Sequence, residues 1–191
     1  MKSLVLLASV TICLVVLRPF SYADDNPHSV LDKLVQEYFA QVSQSSFAGA
    51  AALFHYPKQY SPGERSKDTQ AVTQLLKVMP QEFGVPANRK VLEKPYMIYN
   101  VSAGGGDLGY WQHHPFSLQK QYEVIFSREA AGYVTMQFCN VTGVWEIRSV
   151  SYGLPAQRAD AKARITDIQN KLLQEMAPFM KESEDQTGKP I

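Results

Sequence analysis

Apolar residues recur at three- to four-residue spacing in Val30, Leu31, Leu34, Val35, Tyr38, Phe39 and Val42, the period of an amphipathic helix with one wide buried face. Ser29 and Asp32 give it a capping-box-like start, and Ser45-Ser46 breaks it. Phe47, Ala50, Ala51 and Phe54 then suggest a short second helix whose small residues allow close approach of another element. A third helix is expected from Asp68, its N-cap, through Val72, Leu75, Leu76 and Met79, stopping near Pro80 and Gly84. Between the second and third, residues 55–64 contain Pro57, Pro62 and Gly63 and read as an extended segment followed by a loop.

From Val91 the period changes to that of strands. Runs at 96–101, 110–115, 121–126, 133–141 and 144–152 are separated by turn residues, among them Gly104-Gly-Gly106, Ala131-Gly132 and Thr142-Gly143. Short turns between successive strands imply an antiparallel meander. Gly153-Leu-Pro155 is expected to end the sheet, and Ile165, Ile168, Leu172, Leu173, Met176 and Met180 mark a long helix from about Ala156, kinked or ended by Pro178. Residues 181–191 read as a polar, disordered tail. The pattern as a whole predicts an α+β fold: a curved antiparallel sheet packed on N-terminal helices, a cone, plus an extra C-terminal helix.

The first residues belong to a different kind of segment. Lys2 is followed by an apolar run from Leu4 to Leu17 and by Ser21-Tyr22-Ala23, the three regions of a secretory signal with cleavage expected after Ala23. The run stops at Arg18-Pro19, short of the roughly 20 residues that cross a bilayer. A periplasmic or secreted protein is therefore expected, with a domain over 24–180 and no stable membrane insertion after cleavage. The chain has 19 basic and 18 acidic residues; losing Lys2 and Arg18 leaves 17 against 18. Such a balance excludes the basic excess of a dedicated nucleic-acid binder. Cys13 also goes, and Cys139 alone cannot form an internal disulfide, so it is read as a small buried residue in a strand.

The order helix, short helix, Phe54-His-Tyr-Pro57, Gly63, helix, then long strands ending in Gly143-Val-Trp-Glu-Ile147 resembles the nuclear-transport-factor-2-like superfamily over about residues 29–152. That superfamily includes steroid-isomerase-like and polyketide-cyclase-like enzymes, scytalone dehydratase and many exported bacterial proteins. The resemblance implies a pocket between the concave sheet face and the helices. Fold analogy does not carry function. Period-two alternation separates Tyr122, Val124 and Phe126 from Glu123 and Ile125, and Trp145 and Ile147 from Glu146 and Arg148. The expected ligand-lining residues are His55, Tyr60, Tyr99, Tyr110, Trp111, Tyr122 and Trp145, the alternative being that these rings fill a solid core.

Enzymes of this resemblance need a base and an oxyanion donor. His55 is the one catalytic candidate, with Asp107 a conceivable orienting partner, but no carboxylate lies between Phe47 and Gly63. Glu123 and Glu146 alternate against the apolar residues and are expected to face solvent. Adjacent His113 and His114 point to opposite faces of a strand and do not converge on a metal; no metal or cofactor is implied. Asn100-Val-Ser102 and Asn140-Val-Thr142 match the glycosylation sequon, which has meaning only in a eukaryotic secretory pathway.

Three functions follow in order. The first is an exported, non-catalytic protein holding a small apolar or amphipathic molecule in the cone. The second is an envelope interaction or assembly module using the sheet face or C-terminal helix, a homodimer contact being one use of that helix. The third is an isomerase-like or dehydratase-like enzyme. A pocket above roughly 300 Å³ reached by His55 and Tyr60 favours the first or third; a filled cone with an exposed apolar helix stripe favours the second.

Overall fold

The computed structural model describes residues 27–56, 61–104, 117–129, 131–141 and 143–187. Helices α1 (Pro27–Ser43), α2 (Phe47–Ala51) and α3 (Pro62–Phe83) precede strands β1 (Pro86–Val91), β2 (Ile98–Gly104), β3 (Ser117–Phe126), β4 (Gly132–Cys139) and β5 (Glu146–Pro155), and α4 (Ala161–Thr187) closes the order. The strands form one curved, unclosed antiparallel sheet on which the helices pack, an α+β fold.

The apolar periods place the layers as expected. Along α1, Leu31, Val35, Tyr38, Phe39 and Val42 are buried, and in β3 to β5 the alternating sets Tyr122/Val124/Phe126, Val134/Met136/Phe138 and Val150/Tyr152/Leu154 face them. α4 adds Ala161, Ile165, Ile168 and Leu172 to the same core. All four helices therefore lie on one sheet face. The other face carries a polar ladder: Gln137 receives Ser149 Oγ at 3.0 Å, Gln121 donates to Thr135 at 3.2 Å, and the Ser102 and Ser151 hydroxyls lie 2.6 Å apart.

Three expectations change. The third helix starts at Pro62, six residues before Asp68, because Ser61 accepts from the Glu64 N–H while Glu64 reaches back to the Ser61 N–H. Ser61-Pro62-Gly63-Glu64 is thus a capping box with proline in the first turn, a motif legible in the sequence and passed over for its proline and glycine. α3 then runs through Pro80 and ends at Gly84, whose φ of 88° lies where other residues strain.

The sheet is not a simple meander. Its order is β1-β3-β4-β5-β2, so β3, β4 and β5 are sequential neighbours while β2 crosses to pair with β5 and an additional strand, β1, pairs with β3. Twelve residues, 105–116, separate β2 from β3 in the chain, and β5 and β4 separate them in the sheet. The expected strand at 110–115 lies outside the described residues. Finally, β5 includes Gly153-Leu-Pro155, and α4 begins at Ala161 and extends through Pro178 to Thr187, taking in the first part of the expected polar tail.

Candidate functional site

Tyr99 and Tyr122, expected to share a cavity, do not meet. β2 and β3 sit at opposite sides of β4 and β5, so Tyr99 and Tyr122 are three strand spacings apart, roughly 14 Å. Tyr99 is 40% exposed on the edge strand, whereas Tyr122 is buried in an edge-to-face contact with Phe39, ring centroids 6.1 Å apart. Trp145 is half-buried and packs against the core. Tyr60, Tyr110 and Trp111 lie outside the described residues, as do Asp107, His113 and His114.

The sheet face that packs on the helices carries rings and long side chains. Phe83, Phe126 and Tyr152 form a mutual cluster with centroids 5.1 to 5.7 Å apart, and Phe54 approaches Tyr38 at 6.4 Å. The Tyr38 and Tyr152 hydroxyls pair at 3.3 Å in the interior. Burial pushes both phenols well above the usual tyrosine range. They are core groups with a local polar partner rather than donors aimed at a ligand.

His55 lies elsewhere than expected. The short segment around Phe54 pairs parallel to β5 at Ile147, with the Ile147 N–H donating to the Leu53 carbonyl at 3.0 Å and the His55 N–H to the Ile147 carbonyl at 2.7 Å. Phe54 and Ile147 both face the core, so alternation turns His55 and Glu146 to the other side of the sheet. There His55 Nδ1 donates to Glu146 Oε2 at 2.6 Å. Glu146 is therefore not simply solvent-facing; its side chain is 28% exposed and takes the orienting place that Asp107 had been given. A carboxylate on Nδ1 fixes the imidazole's orientation and tautomer, as in general-base dyads. It also fastens the 53–55 segment to the sheet, which is a structural role sufficient in itself.

Cys139 is the register partner of Glu146 and is buried. Burial, with Glu146 adding to it, pushes its thiol up to about 12, so it stays protonated and unreactive at neutral pH. Among the described residues no three His, Cys, Asp or Glu side chains gather to hold a metal ion.

Two clefts are lined by described residues. One, of about 670 Å³, is an open trough along the solvent side of α3, bounded by Ala48, Pro62, Arg65, Thr69, Gln70 and Thr73. The second, of about 350 Å³, lies between α3, α4 and the edge strand β2, with an apolar floor of Leu75, Val101, Leu172, Leu173 and Met176. Ser102, Gln169 and Asn170 supply its polar rim. Neither contains His55, Tyr99, Tyr122 or Trp145. Leu173 is 61% exposed although Leu172 beside it is buried. Its signal was present in the sequence: Leu173 falls outside the Ile165, Ile168, Leu172 stripe and widens the apolar face beyond what the core uses.

The opposite end of α4 is fixed by charge. Glu82 on α3 accepts from Arg164 and from Lys171, and Glu129 in the β3–β4 turn accepts from Arg158 and Arg164. Burial raises the Glu82 carboxyl, but Lys171 and Arg164 outweigh it and hold it below the ordinary range. α4 is thereby pinned against α3 with its neutral apolar side toward β2. Among the described residues no helix is long and apolar enough to cross a membrane. No family model and no curated protein matches the chain.

Proposed function

We propose that this chain is a non-catalytic interaction module that docks a partner along the border between α4 and β2. The observation that carries the reading is the distribution of apolar surface. The sheet face against the helices, where a ligand pocket was expected, carries the protein's own packed rings among the described residues. Apolar side chains are exposed at Leu173, which lines the 350 Å³ cleft, and at Met97 and Tyr99 earlier along the same edge, as well as at Val91 and Ile125 across the sheet, where no apolar cleft of described residues adjoins them. Exposed apolar surface rimmed by neutral polar groups is the chemistry of an association site. The signal-like pattern of residues 1–23 supports an extracytoplasmic place of work, and the resemblance to the nuclear-transport-factor-2-like cone supports the reading at the level of architecture alone.

A second reading uses the same cleft. Its volume falls in the range of small-molecule sites, and Ser102, Gln169 and Asn170 offer directional hydrogen bonds to an amphipathic molecule. One experiment separates the two. Native mass spectrometry of the protein recovered from its own cells should show a protein assembly that is lost on Leu173→Glu. A stoichiometric small molecule released on denaturation, with the chain otherwise monomeric, would favour the ligand.

A further inference from the structure

The two edges of the sheet are treated differently by the sequence. An exposed edge strand offers unpaired N–H and C=O groups to any passing strand, and proteins blunt it with charge, bulges or proline. The β1 edge is blunted in this way: it carries Arg89 and Lys90, its register shifts between Ala87 and Lys90, and Asn88 has a φ of 47°. The β2 edge has none of these. Ile-Tyr-Asn-Val-Ser-Ala-Gly contains no charge and no proline, and it pairs with β5 through seven consecutive residues without a shift.

The open side of β2 can be read from its bonds. The Ala156 N–H donates to the Met97 carbonyl at 3.1 Å, so residue 97 faces β5. By alternation Ile98, Asn100 and Ser102 turn their backbone groups away from β5. Gln169 on α4 donates to the Asn100 carbonyl at 3.4 Å, from that outer side. Among the described residues no strand pairs with this edge.

We infer that the occupant of this edge is a second copy of the chain, paired antiparallel through β2 about a twofold axis at Val101, so that one sheet runs through both copies. This rests on the interaction reading above and names its partner. Charge is the first argument. Neither β2 nor the lining of the cleft beside it contains an ionised group, while Lys171 and Glu175 on α4 turn toward α3, to Glu82 and Gln74. A twofold axis sets each surface against itself, so a charged edge would be repelled and a neutral one is not. Symmetry is the second. Val101 is the midpoint of Ile98–Gly104, and pairing about it engages the whole strand. Asn100 then exchanges both backbone bonds with the second copy's Ser102, whose N–H replaces the long 3.4 Å bond from Gln169 at the Asn100 carbonyl, and Tyr99 stands across from the second copy's Ala103, a large ring opposite a small side chain. Leu173 of each copy comes to the same seam, covering the cleft.

The geometry gives a test that leaves the β2–β5 ladder intact. The Ser102 N–H points outward, so Ser102→Pro deletes an edge donor without removing a bond to β5, whereas Ser102→Ala removes only the hydroxyl. Light scattering after size exclusion should give a dimer mass for the purified chain and for Ser102→Ala, and at least tenfold weaker association for Ser102→Pro. Should Ser102→Pro lose its circular-dichroism signature, Leu173→Glu decides by the same shift to monomer. Val101→Cys should cross-link to itself under mild oxidation, because non-hydrogen-bonded partners across antiparallel strands lie at about 4.5 Å between Cα atoms. A chain that is monomeric at about 100 µM, or a dimer indifferent to Ser102→Pro and Leu173→Glu with no Val101→Cys cross-link, overturns the proposal. If that monomer still binds another protein in a Leu173-dependent way, the interaction reading stands and the second copy does not.

Discussion

Tyr122 carries a hydroxyl that is buried beside Phe39 with no hydrogen-bond partner among the described residues, and removing that single oxygen probes how the core is satisfied. Burial, with Asp32 adding to it and Arg89 opposing, pushes the phenol well above the usual tyrosine range. A buried polar group left without a partner costs about 1–3 kcal/mol. Tyr122→Phe keeps the ring and its contact with Phe39, so the cost is relieved and little else changes. The expected result is a gain of about 1 kcal/mol, or about 2–4 °C in midpoint for a domain of this size. Tyr152→Phe is the matched control. It removes the same atom but breaks the 3.3 Å pair with Tyr38 and strands the Tyr38 hydroxyl in the interior, for a loss of about 1 kcal/mol. Urea titrations of wild type and both variants at neutral pH measure the two signs directly. If Tyr122→Phe loses as much as Tyr152→Phe, the hydroxyl has a partner and the reasoning fails.

Glu82 sets an acid limit. Its folded carboxyl is held below the ordinary 4.5, so its stabilising contribution is complete above that value and is lost as pH falls through the lower folded one. Glu82→Gln should flatten the stability-versus-pH curve on the acid side of 4.5 in denaturant titrations; an unchanged acid slope would remove Glu82 from the clamp. His55→Ala and Glu146→Gln should each destabilise by about 1–2 kcal/mol, with a double-mutant cycle showing that the losses do not add; additive losses would mean the 2.6 Å contact is not coupled. Cys139, with its thiol pushed up to about 12, should resist a disulfide reagent at pH near 8 in the native state and react fully in denaturant; fast native labelling would contradict its burial.

Periodicity located the layers and missed the crossings, for a physical reason. Which residues of a strand face the core depends on alternation within it, and Tyr122, Val124 and Phe126 are where that alternation placed them, whereas in β5 the irregularity near Phe138 lets Ile147, Val150 and Tyr152 share the core face. Which strands are neighbours depends on connections, and nothing in the sequence of 105–116 signalled that β2 and β3 are separated by two strands. Alternation and the cone resemblance put Tyr99 and Tyr122 in one pocket, and the crossing put those two on opposite sides of the sheet's centre.

The His55–Glu146 pair shows where alternation stops informing. It correctly separated Glu146 from Ile147, but it cannot say whether the face opposite the core meets water or another segment of chain. Here the 53–55 segment lies beside β5 just beyond the end of β2, at Ser149, and the imidazole it brings meets the carboxylate. The same geometry accounts for where β5 stays covered and where the sheet is left open. The early part of β5 is flanked by the 53–55 segment and its later part by β2, so the edge passes outward to β2 itself, where among the described residues no strand pairs with it and Gln169 reaches the Asn100 carbonyl. That strand is neutral, regular and bordered by Leu173. An edge with those properties, opposite one defended by Arg89, Lys90 and a bulge, is explained if it is paired in the working protein.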